Sequence, residues 1–344
     1  MCSSDLADLT MRIAILLTSL LTACAIVQAK TPDQLRDEFI AEMVGKYGFS
    51  KEEVTRTLYQ AQLRRPILEA ISRPAEKTLN WTAYRNIFLT PSRIQGGVDY
   101  WRQHAAALER AEQTFGVPPQ IIVAILGVET RYGANTGGYR VLDALHTLGF
   151  HYPKRGAFFR EQLSHFLRFA REEDIPATSP TGSYAGAMGV PQFMPDSFRV
   201  YAIDFDADGR RDIWLSPEDV IGSVANYFVK KGGWKRGAPV AQPIQGVTSK
   251  HQRLVDAGAR PSLSASELAA AGLAIDPPTP EGAKLSLLDF DTDDGTEYWV
   301  GMDNFYAIMR YNPRTKYAMA VYQLSEAIRE LHAQQQAARA PGAG

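Results

Sequence analysis

The sequence predicts a mainly α fold with a small mixed α/β insertion, and three observations carry that prediction. Apolar residues recur at helical spacing through most of the chain. Prolines and Ser-x-x-Glu strings mark helix starts. From Gly237 to Asp291 the texture changes to frequent Pro and Gly around a short strand-like run. The 344 residues, 45% of them hydrophobic, suffice for an ample core and two domains or so.

The formal net charge is -1. Residues 1–29 hold Asp5, Asp8 and Arg12, a net of -1, so the remainder is neutral. That argues against nucleic acid or a polybasic membrane contact as the main activity. Both cysteines, Cys2 and Cys24, fall in the same leader, so the body can form no internal disulfide, thiolate metal site or thiol nucleophile. No organic cofactor is expected.

In chain order, Met11 opens an export signal: Arg12, an apolar stretch from Ile13 to Val27, then small residues at Val27-Gln28-Ala29 where signal peptidase needs them. A periplasmic protein is expected. Leu21-Thr22-Ala23-Cys24 is also similar to a lipobox, so a soluble form and one anchored to the outer membrane through a lipid on Cys24 stay open. Residues 1–10 fit neither plan, since they are acidic and C-S-S-D-L is what a common sequencing adapter translates to; they are expected to be an artefact. Thr31 to Gln62 reads as helical, with Leu35, Phe39, Met43 and Val44 at helical spacing and Ser50 and Glu53 set for a capping box. Pro66, Pro74 and Pro91 then lead into one long helix from about Pro91 to Phe115, with Val98, Trp101, Ala105, Leu108 and Ala111 on one face, completing an accessory N-terminal helical domain over 30–115.

Core helices follow at about 118–131, 139–148, 156–173 and 217–231, within a core domain of 116–236. The insertion spans 237–303, with a strand over Lys284 to Phe290 and a helix over Ser264 to Ala271 capped by Ser264 and Glu267. Helix returns over Tyr306 to Leu331, so that 304–332 completes the core. The low-complexity tail 333–344 is expected to be disordered.

The most informative residue is Glu129. It closes the unbroken apolar run Ile121 to Val128 inside G-V-E-T-R-Y-G, after Pro118 and Pro119. A carboxyl emerging from a buried helix is partly desolvated, which raises its pKa and keeps a proton available near neutral pH. Glu129 therefore reads as a general acid; the plainer alternative is an ion pair with Arg131 or Arg155. The glycine-rich G-A-M-G-V-P-Q-F-M-P, Gly186 to Pro195, adds the amide of Gln192 between hydrophobic neighbours. An acid, an amide and aromatic faces suit a sugar cleft. An ordinary glycosidase needs two carboxylates, and no convincing second one stands out: Asp143 reads as a cap or surface charge, and Asp196 as a helix start.

A second constellation, D-F-D-A-D-G-R-R-D, places Asp204, Asp206 and Asp208 at the first, third and fifth positions of an EF-hand-like loop with Gly209 at the sixth. Alternate carboxylates on a tight turn suit a hard cation, calcium above all, in a structural role. The twelfth position is Leu215, which cannot ligate, and Glu218 and Asp219 lie just beyond. An acidic turn that binds nothing is the alternative.

G-V-E-T-R-Y-G and G-A-M-G-V-P-Q-F-M-P, in this order and spacing, resemble the lytic murein transglycosylase B family over about Trp81 to Leu324. The resemblance implies a lysozyme-like core and cleavage of peptidoglycan glycan strands. Glu129 would protonate the oxygen between N-acetylmuramic acid and N-acetylglucosamine. As carboxylate it would then take the proton of the muramoyl 6-hydroxyl as that oxygen attacks C1, giving a 1,6-anhydro sugar. Carried over by matching motifs, Ser183 and Gln192 would hold the N-acetyl and hydroxyl groups, and Arg155 would meet the lactyl or peptide carboxylate. Tyr84, Phe193, Tyr227, Tyr311 and Tyr317 would line the subsites with Asn312 beside Tyr311; Tyr311 and Tyr317, flanking a loop, are expected to be exposed. Tyr132 receives no clear role. In the metal loop, the same matching puts the closing carboxylate on Asp219 and the carbonyl of Arg210 in the shell, with Asp212 reaching the ion directly or through water. A hydrolytic muramidase and a non-catalytic peptidoglycan-binding protein are the rival readings, and proteins of wall synthesis or division are possible partners.

Overall fold

The computed structural model describes residues 30–72 and 79–339, so the leader with Cys24, Pro74 and residues 340–344 lie outside the described residues. The chain opens with α1 (Pro32–Tyr47), whose first turn is closed by Thr31 and Gln34 in a reciprocal capping box, and α2 (Lys51–Tyr59). Ser50 caps α2 by accepting from the Glu53 N–H. The Glu53 carboxylate instead pairs with Arg171 at 2.8 Å and so ties α2 to a core helix. Phe39 and Met43 are buried while Val44 is exposed, which narrows the face expected from spacing.

Next come α3 (Arg65–Ser72) and α4 (Trp81–Phe88), then α5 (Pro91–Gln103) and α6 (Ala105–Phe115). The single helix expected over Pro91 to Phe115 is thus two. His104 leaves helical geometry at φ -116° and ψ 28°, which shifts the helical phase. Val98, Leu108 and Ala111 are buried as expected, but Ala105 faces solvent.

The axis of the molecule is α7 (Pro119–Thr130). Pro118 in extended geometry and Pro119 at the first position start it, because proline has no N–H to lose there. Ile121, Ile122, Val123, Ala124, Ile125 and Leu126 are all buried, as it packs against α5, α6 and two later helices, α11 and α15. Burying a large aliphatic side chain is worth roughly 1.5–3 kcal/mol. The position of α7 is therefore fixed by burial on every face. A two-residue strand β1 (Tyr139–Arg140) leads to α8 (Val141–His151) and α9 (Gly156–Glu172); β2 (Thr181–Gly182) pairs antiparallel with β1. Then come α10 (Pro195–Tyr201) and α11 (Pro217–Tyr227), which runs into a π-turn over Phe228–Gly232.

The mixed segment contains two short helices, α12 (Gln252–Val255) and α13 (Ala265–Ala270), and three strands, β3 (Ala241–Pro243), β4 (Ser286–Thr292) and β5 (Gly295–Gly301), which form one antiparallel sheet of order β3-β5-β4. The Ser264 and Glu267 capping box forms as expected at α13. β4 faces two ways. Leu288 and Phe290 join the main core, while Leu287 joins Leu263, Leu268, Leu273 and Val300 in a second, smaller one. The chain ends with α14 (Asp303–Met309) and α15 (Thr315–Ala337). The tail expected to be disordered from 333 is instead helical to Ala337, with His332 stacked on Trp101 at 4.2 Å.

Candidate active site

Glu129 is the penultimate residue of α7, and the chain turns immediately after it. Arg131 and Tyr132 take left-handed φ values of 52° and 61°. Tyr132 stabilises this reversal: its hydroxyl donates to the Arg93 carbonyl at 2.6 Å, and its ring fills a notch left by Gly96, Gly97 and Gly127. A Cβ on Gly127 would lie 2.6 Å from the Tyr132 hydroxyl. Tyr132 is therefore an anchor for the acid's helix end. The sequence signal was three glycines, which acquire meaning only once the two helices are paired.

Glu129 as a residue keeps part of its surface open. Protein nonetheless crowds its carboxyl, and desolvation pushes the pKa up from 4.5 to about 7. The Tyr317 hydroxyl donates to Oε1 at 2.5 Å and works in the opposite sense, favouring the carboxylate. Among the described residues neither Arg131 nor Arg155 forms an ion pair with Glu129.

The second glycine-rich string folds over the same helix end. Thr130, buried and not singled out from sequence, donates its hydroxyl to the Val190 carbonyl at 2.9 Å and accepts from the Gly133 N–H. Gly189 takes φ 64°, where a Cβ would meet the Ile213 carbonyl at 2.5 Å. Gln192 holds a left-handed φ of 53° although it is not glycine, a strained geometry of the kind that recurs at functional sites. Its amide nitrogen donates to the carbonyls of Thr136 and Gly189, which fixes the side chain and leaves its oxygen as the remaining acceptor.

The aromatic residues converge with one correction. Tyr317 is buried and Tyr311 half-buried, so these two are not the exposed loop aromatics expected. Tyr311 donates to the Pro191 carbonyl at 2.6 Å, and Tyr227 donates to the Arg310 carbonyl at 2.7 Å. Phe193, Tyr227 and Tyr311 pack with ring centres 4.8 to 6.0 Å apart. The α14–α15 loop is thereby locked to the Gln192 turn. Burial raises the phenol of Tyr84 to about 12, with the nearby Glu129 charge adding to it, and the phenols of Tyr227, Tyr311 and Tyr317 are raised likewise. All four remain hydrogen-bond donors at neutral pH.

Ser183 accepts from the N–H groups of Ala185 and Ala187, which leaves its own proton for another partner. Asn312 sits half-buried in the α14–α15 loop. Arg155 is exposed at the start of α9 with its guanidinium over Phe158 at 4.3 Å, and its contacts are with this ring and Phe159, not with Glu129. Asp143 is buried rather than a surface charge: it pairs with Arg140 at 2.6 Å and accepts from the Gln62 N–H, joining the N-terminal helices to the core. Asp196 opens α10 as expected.

In the acidic loop, carboxylate oxygens of Asp204, Asp206 and Asp219 lie within 4.8 Å of one another. Asp219 is fully buried and accepts from the N–H groups of Phe205 and Asp212, while Ser216 caps its helix. Asp208 stands outside this trio and accepts from the Arg210 N–H. Ala207 and Gly209 take φ values of 63° and 90°, which make the turn.

A family model described as transglycosylase SLT domain matches residues 31–326. The chain belongs to the transglycosylase SLT domain family. This SLT-domain protein is 44% identical to membrane-bound lytic murein transglycosylase B of Escherichia coli strain K12 over 300 residues, 85% of this chain and 81% of the relative. Soluble lytic transglycosylase SltB1 of Pseudomonas aeruginosa is 49% identical with a TM-score of 0.82, over 87% of this chain and 99% of that one. The Escherichia coli lytic transglycosylase Slt35, solved in complex with calcium, is 43% identical with a TM-score of 0.79, over 87% and 94%. SltB3 of Pseudomonas aeruginosa, solved with NAG-NAM-pentapeptide, is 32% identical with a TM-score of 0.76, over 88% and 80%. The SLT-domain fold here is thus the mainly helical, lysozyme-like one of lytic transglycosylases, and the chain is a lytic murein transglycosylase acting on peptidoglycan. No described helix is long and apolar enough to cross a membrane.

Proposed function

We propose that Glu129 alone performs both proton transfers in cleaving the bond between N-acetylmuramic acid and N-acetylglucosamine, with the muramoyl 6-hydroxyl as nucleophile and a 1,6-anhydro sugar as product. The observation that carries this reading is the Glu129 carboxyl itself, held near pKa 7 by burial and touched by the Tyr317 hydroxyl. An acid with a pKa close to the working pH can give a proton to the leaving oxygen and take one back. Of the two other carboxylates weighed from sequence, Asp143 is paired with Arg140, and Asp196 accepts from the Ser197 N–H at the start of α10. Tyr84, Phe193, Tyr227, Tyr311, Asn312 and Tyr317 form the proposed cleft, with Ser183 donating and the Gln192 oxygen accepting. Digesting purified sacculi and weighing the soluble products tests the reading: anhydro ends, lighter by one water, support it, and reducing ends favour the muramidase alternative.

Calcium is the proposed structural ion of the 204–219 loop. The donor set supports it: three hard oxygen ligands gathered around one turn, where they would repel one another without a cation. Asp204, Asp206 and Asp219 would hold it, with Asp208 and the Arg210 carbonyl completing the shell. We place the enzyme in the periplasm on the strength of its substrate and leader, with an anchor through Cys24 as the lipidated alternative.

A further inference from the structure

Away from Tyr317 and the aromatic cluster, the corner between α4 and α5 holds a recess of about 340 Å³ lined by Ile87, Thr90, Ser92, Arg93, Arg131 and Tyr132. Arg93 is only 7% exposed, and its Nη1 atom is sealed from solvent with no hydrogen-bond partner, which leaves the rest of its guanidinium to meet a ligand. Its guanidinium packs over the Phe88 ring at 5.1 Å, and Arg131, two residues after Glu129, brings a second guanidinium to the same recess. Burial first, and repulsion from Arg131 second, hold the Arg93 pKa below the ordinary arginine range. Among the described residues no carboxylate pairs with either arginine. The N-terminus of α5, a helix of 13 residues, adds positive potential and the hydroxyls of Thr90 and Ser92. A buried cation without a counter-charge is costly, so its retention is explained if a ligand supplies the anion.

We propose that this recess is a carboxylate-binding subsite for the stem peptide of the bound glycan, with Arg93 and Arg131 as a two-guanidinium clamp. The proposal rests on the peptidoglycan reading above and extends it from the sugar to the peptide. A carboxylate is the anion that a peptidoglycan peptide offers, and planar guanidinium groups bind it by paired N–H donation. It gives the enzyme a way to prefer strands that still carry peptides.

Calorimetric titration in a Glu129→Gln background, where turnover is stopped, tests the subsite. The titrants are NAG-NAM-pentapeptide, the same fragment with its carboxylates amidated, and an N-acetylglucosamine oligomer. Amidation is expected to weaken binding about tenfold or more. Arg131→Asn, whose side chain tolerates the left-handed backbone, is expected to abolish that difference while the oligomer binds as before. Equal affinity for the native and amidated fragments would overturn the proposal, whatever the folding of the variant. So would an equal loss of oligomer binding in Arg131→Asn, which would mean that the arginine acts through the sugar site. Absence of oligomer binding in the parent protein would instead count against the cleft itself.

Discussion

At the scale of single residues, the proposed chemistry depends on two opposed influences on one carboxyl: desolvation holds the Glu129 proton on, and the Tyr317 hydroxyl eases it off. Glu129→Gln is expected to cut release of soluble fragments by about 10²–10⁴-fold, the usual contribution of a general acid, while sacculus binding persists. Unchanged release would count against Glu129 as the proton donor. Tyr317→Phe removes the bond that favours the carboxylate, so the Glu129 pKa rises. The alkaline limb of the pH–rate profile, set by loss of that proton near 7, is then expected to move up by about one to two pH units. A limb that stays in place would exclude the hydroxyl as a tuning group. The same burial has a stability consequence with a definite sign. Between pH 4.5 and about 7 the folded state holds a proton that the unfolded chain has lost, so stability falls as pH rises through this window. Glutamine has no such proton, so the melting temperature of Glu129→Gln is expected to gain on the parent between pH 4.5 and about 7.

Among the elements, the end of α7 is where the two glycine-rich strings become one site. Thr130 is the fastener, since its hydroxyl bonds the Val190 carbonyl across 60 residues. Thr130→Val is expected to cost about 1–3 kcal/mol in denaturant melts by leaving that carbonyl unpaired. It is also expected to lower turnover through a looser Gln192 turn. Gly127→Ala is expected to be destabilising by a similar amount, about 1–3 kcal/mol, because the new methyl meets the Tyr132 hydroxyl. The desolvated Glu129 carboxyl, the Gln192 turn and the helix starts at Pro119 and Ser264 were legible from the sequence because each depends on local pattern or capping. The break at His104 was not, since no proline or glycine marks it. The hairpin of β4 and β5 has a usable signal, Asp-Asp-Gly between two apolar runs, of which only the first, Lys284 to Phe290, is expected as a strand above. Thr130 and Tyr132 bond to partners 60 and 39 residues away, and Arg93 meets Arg131 across a similar separation, which single-sequence spacing does not reveal.

For the whole molecule, α7 is clamped from all sides while the acidic loop precedes α11, a helix that packs on α6 and α7. An ion in that loop would stabilise the core without touching Glu129. Saturating calcium is expected to raise the melting temperature after chelation, by an amount equivalent to about 2.7 kcal/mol at a hundredfold excess over the dissociation constant. Asp219→Asn is expected to abolish that rise, and a chelated protein that melts unchanged on adding calcium would remove the ion from the account. The central claim concerns the nucleophile, and an oxygen label tests it most directly. When sacculi are digested in ¹⁸O-enriched water and the released muropeptides are weighed, internal attack by the 6-hydroxyl predicts anhydro ends with no label. Reducing ends that carry the label would contradict it.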